Sequence, residues 1–275
     1  MTFSVVGRSE DGTSLGVAVA SKFLAVGSAV AAARIGLGAI ATQSFCNTLY
    51  RRDGLELLAS GRSAQQTLEE LLAADDLREE RQAGIVDGQG GSATWSGSGC
   101  LSWAGGVTDT GLAIQGNVLV GPEVLDQMYA AWRSGADLAL PERLMATLAA
   151  GDAAGGDRRG RQSAALLVVS TSGSYTPGDD LAYDLRVDDH PDPVTELGRL
   201  LELHHVYFDA PDPDDLLPLE GDVAAEVVDL LSRVGQPSLE VWAGIENYEL
   251  RLVTDHVDRF VLNRLREAAR SQPPA

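Results

Sequence analysis

The residue best placed for chemistry is Thr2. When Met1 is removed by methionine aminopeptidase, which tolerates a small second residue, the chain begins with Thr2. Its hydroxyl then lies beside its own free α-amine, whose unperturbed pKa is about 7.7–8.0. Near neutral pH that amine can accept the hydroxyl proton, so one residue carries both nucleophile and general base. Thr2 also opens the apolar run Phe3 to Gly7, and a nucleophile must be held rigidly rather than fray as most termini do.

Other groups invite a chemical reading. Asn117 follows Gln115-Gly116 at an expected strand end, where an amide or a backbone N–H could hold an oxyanion. On residue type alone the readier reading is a turn asparagine in the left-handed region. Asp157, Arg161, Gln162 and Ser163 form a polar entry into the apolar strand Ala164 to Val169, a place where substrate contacts collect. Gly155-Gly156 lacks the Walker spacing and the Lys-Ser/Thr ending, so nucleotide binding is not expected. Asp188-Asp189-His190 is flanked by Pro191 and Pro193 and reads as a rigid turn rather than a metal site. His204 and His205 are adjacent and project from different helix faces. Cys46 is followed by Asn47 with no supporting histidine, so it reads as a packed thiol. Neither a metal nor a cofactor is expected.

The elements that must position these groups follow from the pattern. Short apolar runs Phe3 to Gly7, Leu15 to Ser21, Ser28 to Arg34 and Gly38 to Gln43 are punctuated by Asp11-Gly12, Gly27 and Gly36. Helical signals follow over Gly54 to Ala59 and after Ser63, where Ser63 to Gln66 resembles a capping box with Leu68, Leu71 and Leu72 on one face. Strands are expected again at Ala83 to Asp87, Ser92 to Ser96, Ser102 to Gly106 and Gly111 to Gln115. A helix pair follows at Pro122 to Trp132 and Pro141 to Ala150, each proline in a first turn that tolerates it. Ser163 to Ser170, Ala182 to Val187 and a helix over Pro193 to Tyr207 complete this part. Strands and helices come in blocks rather than in strict alternation. That order predicts an α+β fold of two antiparallel sheets stacked between helical layers.

Residues 1–208 are expected to form this domain. Asp209 to Asp222 holds six acidic residues, no basic ones and three prolines, the composition of an exposed linker. Residues 223–275 read as a small helical appendage with helices at Val223 to Val234, Ser238 to Leu252 and Val257 to Ala269.

Bulk properties narrow the partners. The 275 residues carry 21 Lys and Arg against 40 Asp and Glu, a formal charge of -19. Such a chain repels nucleic-acid phosphates and anionic lipid. The first residues show no basic leader followed by an apolar run, and two cysteines without metal spacing suit a reducing compartment, so a cytoplasmic protein is expected.

The motifs Thr2-Phe3-Ser4-Val5-Val6, Gly16 to Ser21, Gly38 to Gln43, Gln115-Gly116-Asn117, Gly155 to Ala164 and Asp188 to Pro193 stand in order. Together they resemble the bacterial domain of unknown function 1028 family, of the N-terminal-nucleophile (Ntn) hydrolase-like superfamily that includes proteasome subunits. The resemblance spans roughly residues 1–203. It implies a four-layer αββα sandwich, a Thr2 nucleophile and hydrolysis of a small amide or peptide bond. It places Arg34 where proteasome-like relatives keep a basic residue that tunes the amine, with Lys22 as a second candidate. It strengthens the oxyanion reading of Asn117, and Gln43, within one of the shared motifs, joins Asp157, Arg161, Gln162 and Ser163 as an expected substrate contact. It also makes a homo-oligomer the expected assembly. Trp242 to Glu249 resembles a helical module described as peptidoglycan-binding. The competing expectation is a binding protein that keeps the fold without the chemistry.

Overall fold

A computed structural model of the chain describes residues 2–173 and 178–271. The chain divides into two compact units, Met1–Leu200 and Leu201–Ala275.

The first unit mixes helices with antiparallel sheets. β1 (Thr2–Arg8) and β2 (Ser14–Ser21) form a hairpin whose turn is tied by Asp11, which accepts from Ser9 Oγ and Thr13 N. β3 (Ala31–Arg34) and β4 (Gly38–Ser44) form a second hairpin. β3 starts later than the sequence pattern suggested, because Val26–Ser28 winds into a 3₁₀ turn behind Ala25, which sits at φ 53. Helices α1 (Leu49–Ala59) and α2 (Ala64–Ala73) follow. The capping box at Ser63 is present: its Oγ accepts from Gln66 N, and Gln66 Oε1 accepts from Ser63 N. Next come β5 (Arg81–Asp87), β6 (Ser92–Ser96), β7 (Gly105–Asp109) and β8 (Leu112–Asn117). Helices α3 (Glu123–Ser134) and α4 (Leu140–Ala153), then β9 (Ser163–Ser170) and β10 (Leu181–Val187), lead into α5 (Pro193–Phe208).

Six strands pair in the order β10-β9-β2-β1-β8-β7 and four in the order β3-β4-β5-β6. Alternation along each strand sorts its side chains. Val6, Val17, Val19, Ala39, Ala41 and Val86 belong to one buried cluster shared by both sheets. The opposite parity of the four-stranded sheet, Ile40, Ala83, Ile85 and Ala93, packs with Leu58, Leu68 and Leu71 of α1 and α2. Across the six-stranded sheet, Phe3 and Gly7 approach Met128, Trp132 and Leu144 of α3 and α4. β1 is buried on both faces, which suits a segment that must not fray.

In the second unit, β11 (Leu216–Pro218) pairs with β12 (His256–Asp258). α6 (Gly221–Arg233), α7 (Leu239–Ile245) and α8 (Arg259–Ser271) enclose a core around Trp242, Leu262 and Leu265. The acidic stretch expected to be an open linker therefore contributes a strand. Leu216 and Leu217 are half-buried against β12, and the division between units falls inside α5. The helix expected over Ser238 to Leu252 stops at Ile245, and Asn247 then turns at φ 61. Among the described residues no helix is long and apolar enough to cross a membrane.

Candidate active site

Thr2 is the first residue of β1 and sits between β8 and β2. It is paired with Asn117 on one side, and on the other its Oγ1 lies 3.1 Å from Ser21 Oγ. Ser21 is in turn paired with Ser163 of β9. Asn117, Thr2, Ser21 and Ser163 thus form a polar row at one end of the six-stranded sheet. All four are buried, Thr2 at 5% exposure.

The carbonyl of Thr2 is clasped from both sheets. Gln43 Nε2 of β4 donates to it at 3.2 Å and Asn117 Nδ2 at 3.5 Å. The same two amides also donate to one acceptor, Gln82 Oε1 of β5, at 2.8 and 2.7 Å. Gln82 Nε2 passes the chain on to Ser96 Oγ and to the Gly116 carbonyl, both at 2.7 Å. Two residues along β1, Ser4 Oγ donates to Gln43 Oε1 and accepts from Gln115 Nε2. Ser4, Gln43, Gln82, Gln115 and Asn117 are each at most 1% exposed. Buried amides are costly unless paired, so this network fixes the register of β1 against both sheets.

A cavity of about 180 Å³ opens beside Ser21, lined also by Phe3, Asp157, Gly160 and Arg161. Asp157 is buried. It accepts from the backbone N–H of Lys22 at 2.9 Å and is bridged by Arg159 at 2.9 Å, so it ties the exit of β2 to the glycine loop. Arg161 is exposed and pairs with Asp152 at 2.8 Å, a contact that pushes its guanidinium pKa up. Ser163 Oγ donates to the Phe23 carbonyl and accepts from Val26 N, and Gln162 donates to Asp189. Ser163, with no exposure, holds the loop after β2 in place and faces no solvent.

The sequence expectations fare unequally. Thr2, Gln43 and Asn117 are brought together, and Asp157 and Arg161 line the adjoining cavity. Arg34 is not brought to this end. It closes β3 opposite Gly38 and is exposed, while Gln43 lies five residues further along β4, roughly 16 Å away. The reason is the short β3–β4 turn, which puts a residue thirty-two positions after Thr2 at the far end of the sheet. Asn117 is present, but both hydrogens of its amide are committed inward to Thr2 O and Gln82 Oε1. Ser21, Ser4, Gln82 and Gln115 were not singled out from the sequence, although amides inside Ala/Val runs were a visible signal. His190 accepts from Asp192 N at the start of α5, the expected turn. Cys46 is partly buried, and burial pushes its thiol pKa up. Among the described residues no group of histidine, cysteine and carboxylate side chains is arranged to hold a metal.

A family model described as a family of unknown function, DUF1028, matches residues 2–197. Among solved structures, protein SPO2555 from Silicibacter pomeroyi, which carries the same family designation, is similar at TM-score 0.67 and 27% identity. That match covers 82% of this chain and 92% of the other. No curated protein matches the chain.

Proposed function

The chain belongs to the DUF1028 family, whose description states no activity, and from the geometry around Thr2 we propose that it is an N-terminal-nucleophile amidohydrolase. The observation that carries this reading is the fixing of Thr2 by both ends: its hydroxyl against Ser21, its carbonyl under Gln43 and Asn117. A threonine needed only as the start of a strand would not require a network of Ser4 with four amides from three other strands. Helices on the outer face of each of two stacked antiparallel sheets agree with a four-layer αββα sandwich of the Ntn-hydrolase kind.

The chemistry needs removal of Met1, which lies outside the described residues. The freed α-amine takes the proton from Thr2 Oγ1 as the oxygen attacks the substrate's amide carbon. The tetrahedral intermediate places negative charge on the former carbonyl oxygen, and a backbone N–H serves there because the Asn117 amide is occupied. Collapse breaks the C–N bond, and the amine returns its proton to the leaving nitrogen. Water, deprotonated by the same amine, then cleaves the acyl-threonine ester and restores the hydroxyl. The substrate is a small amide, a short peptide or an acyl-amino acid, and no cofactor enters. Two free thiols, Cys46 and Cys100, agree with a cytoplasmic setting.

A non-catalytic binding protein is the second reading, favoured by the burial of Thr2. Intact-mass measurement of protein purified without an N-terminal tag separates the two. Loss of one methionine, together with amide hydrolysis that disappears in Thr2→Ala, is the expected result. Retention of Met1 in protein that still hydrolyses amides would overturn the mechanism.

A further inference from the structure

The chain has 21 basic side chains, of which twenty are arginine and one is lysine. That lysine is Lys22, directly after the Ser21 that touches Thr2. Its surroundings set it apart from Arg159 and Arg161. Arg159 is bridged to Asp157 and Arg161 to Asp152, so each of those cations already has a carboxylate. The Lys22 ammonium donates to the backbone carbonyl of Arg161 at 3.2 Å, and no carboxylate of the described residues lies within 4.0 Å of it. Asp157 binds the backbone N–H of Lys22, which fixes where the side chain starts, and leaves the ammonium itself uncompensated. In a chain of net charge -19, Lys22 is thus an exposed cation without a carboxylate, one residue along the chain from the Ser21 that touches Thr2.

The segments that follow β2, β4 and β8 supply a second feature. Phe23 and Leu24 follow Ser21, Phe45 follows Gln43 and Ser44, and Val120 follows Asn117 by three residues. All four are exposed, Phe45 at 73%. Leu101, also exposed, is held there by its carbonyl, which accepts from Val118 N. Exposed apolar side chains and one ammonium without a carboxylate thus sit within three residues of the buried Ser21, Gln43 and Asn117, and we take them as the rim of the site.

Resting on the amidohydrolase reading above, we propose that Lys22 binds a free carboxylate next to the scissile amide. The substrates are then N-acyl-amino acids or dipeptides with an apolar side chain against the rim. A compact ammonium with three rotatable donors can serve one carboxylate oxygen while keeping its bond to Arg161, which the planar guanidinium fork of arginine does less readily. Lys22 acts as a specificity residue and takes no part in bond making.

One lysine gives a direct readout, because the only other primary amine of the chain is the α-amine. Lys22 acetylation by N-hydroxysuccinimidyl acetate is followed by peptide mass spectrometry in the Thr2→Ala protein, which cannot consume the probe. N-acetyl-L-leucine is the carboxylate probe and N-acetyl-L-leucinamide its uncharged counterpart. Saturating N-acetyl-L-leucine is expected to slow Lys22 acetylation by about tenfold, the order expected of one charged hydrogen bond, and the amide to leave it unchanged. Calorimetric binding of N-acetyl-L-leucine should be lost in Lys22→Met and partly kept in Lys22→Arg, both of which retain the backbone bond to Asp157. Equal protection by the two probes, or none by either, overturns the proposal. Carboxylate-selective protection in a protein whose wild type hydrolyses no amide would remove the Thr2 mechanism and leave Lys22 as a carboxylate site. Thr2-dependent hydrolysis without such protection would remove the Lys22 assignment alone.

Discussion

Thr2 Oγ1 and Ser21 Oγ stand 3.1 Å apart, on adjacent strands and both out of solvent. The contact holds the threonine hydroxyl in one rotamer, at the point where the α-amine would reach it. Ser21→Ala removes that partner while leaving the strand pairing with Ser163 intact. The expected result is a fall in kcat of about ten- to a hundredfold, equivalent to losing one or two tenfold steps of barrier, with KM little changed. Steady-state kinetics beside a thermal melt provide the check. An unaltered kcat would mean that Ser21 only fills space.

Gln82 is the hub of the inter-sheet network, since its Oε1 accepts from both amides that clasp the Thr2 carbonyl. Gln82→Leu would leave Gln43, Asn117 and the Gly116 carbonyl each short of a partner in a fully buried place. A loss of about 2–4 kcal/mol is expected from those groups together. Urea unfolding should show a lower midpoint at unchanged slope.

Gly84 lies in the middle of β5, where a Cβ would come within 1.9 Å of Gln115 Oε1. Gly84→Ala must turn the Gln115 amide away from Ser4 and so break the 2.6 Å bond to Ser4 Oγ. A destabilisation of about 1–3 kcal/mol is expected. Pairing it with Gln115→Ala should restore part of the loss, because the second change removes the clash. A double-mutant cycle reads that coupling, and strict additivity would contradict it.

Asp75 and Arg81 form a buried ion pair at 2.8 Å beside the loop that follows Gln43. Asp75 also accepts from Asn47, Tyr50 and Leu77 N, and Arg81 donates to the Phe45 carbonyl. The Arg81 guanidinium first, then the bonds from Asn47, Leu77 N and Tyr50, hold the Asp75 carboxyl far below the usual carboxylate range. Its stabilisation is complete above the unfolded value near about 3.9 and is lost as pH falls towards the folded one. Asp75→Asn should cost about 3–5 kcal/mol at neutral pH by stranding Arg81. The gap between variant and wild type should narrow below about pH 4, measured by denaturant melts across pH. A gap independent of pH would mean the carboxylate charge is not what stabilises the loop.

Much of the first unit was legible because its strands alternate cleanly and its turns carry glycine or aspartate. Thr2 and Asn117 could be marked as candidates from position alone. The network that joins them could not, because Gln43, Gln82 and Gln115 meet only through the register of strands far apart in the chain. Arg34 failed for a related reason: counting residues from Thr2 ignores how tightly the β3–β4 hairpin turns. The strand at Leu216–Pro218 was hidden by its acidic and proline-rich flanks. Two leucines in such a setting gain their meaning only from β12, some forty residues later.

The clasp around the Thr2 carbonyl is built from amides and hydroxyls, and none of Ser4, Gln43, Gln82, Gln115 or Asn117 ionises between pH 2 and 12. Its shape is therefore indifferent to proton concentration. Between about pH 5 and 9 acidity then has one handle on the bond-making step, the terminal amine, and kcat/KM should climb along a sigmoidal limb centred at about 7–8. A site of this make would act as a chemical rheostat, its output following the charge of one nitrogen while its frame stays still.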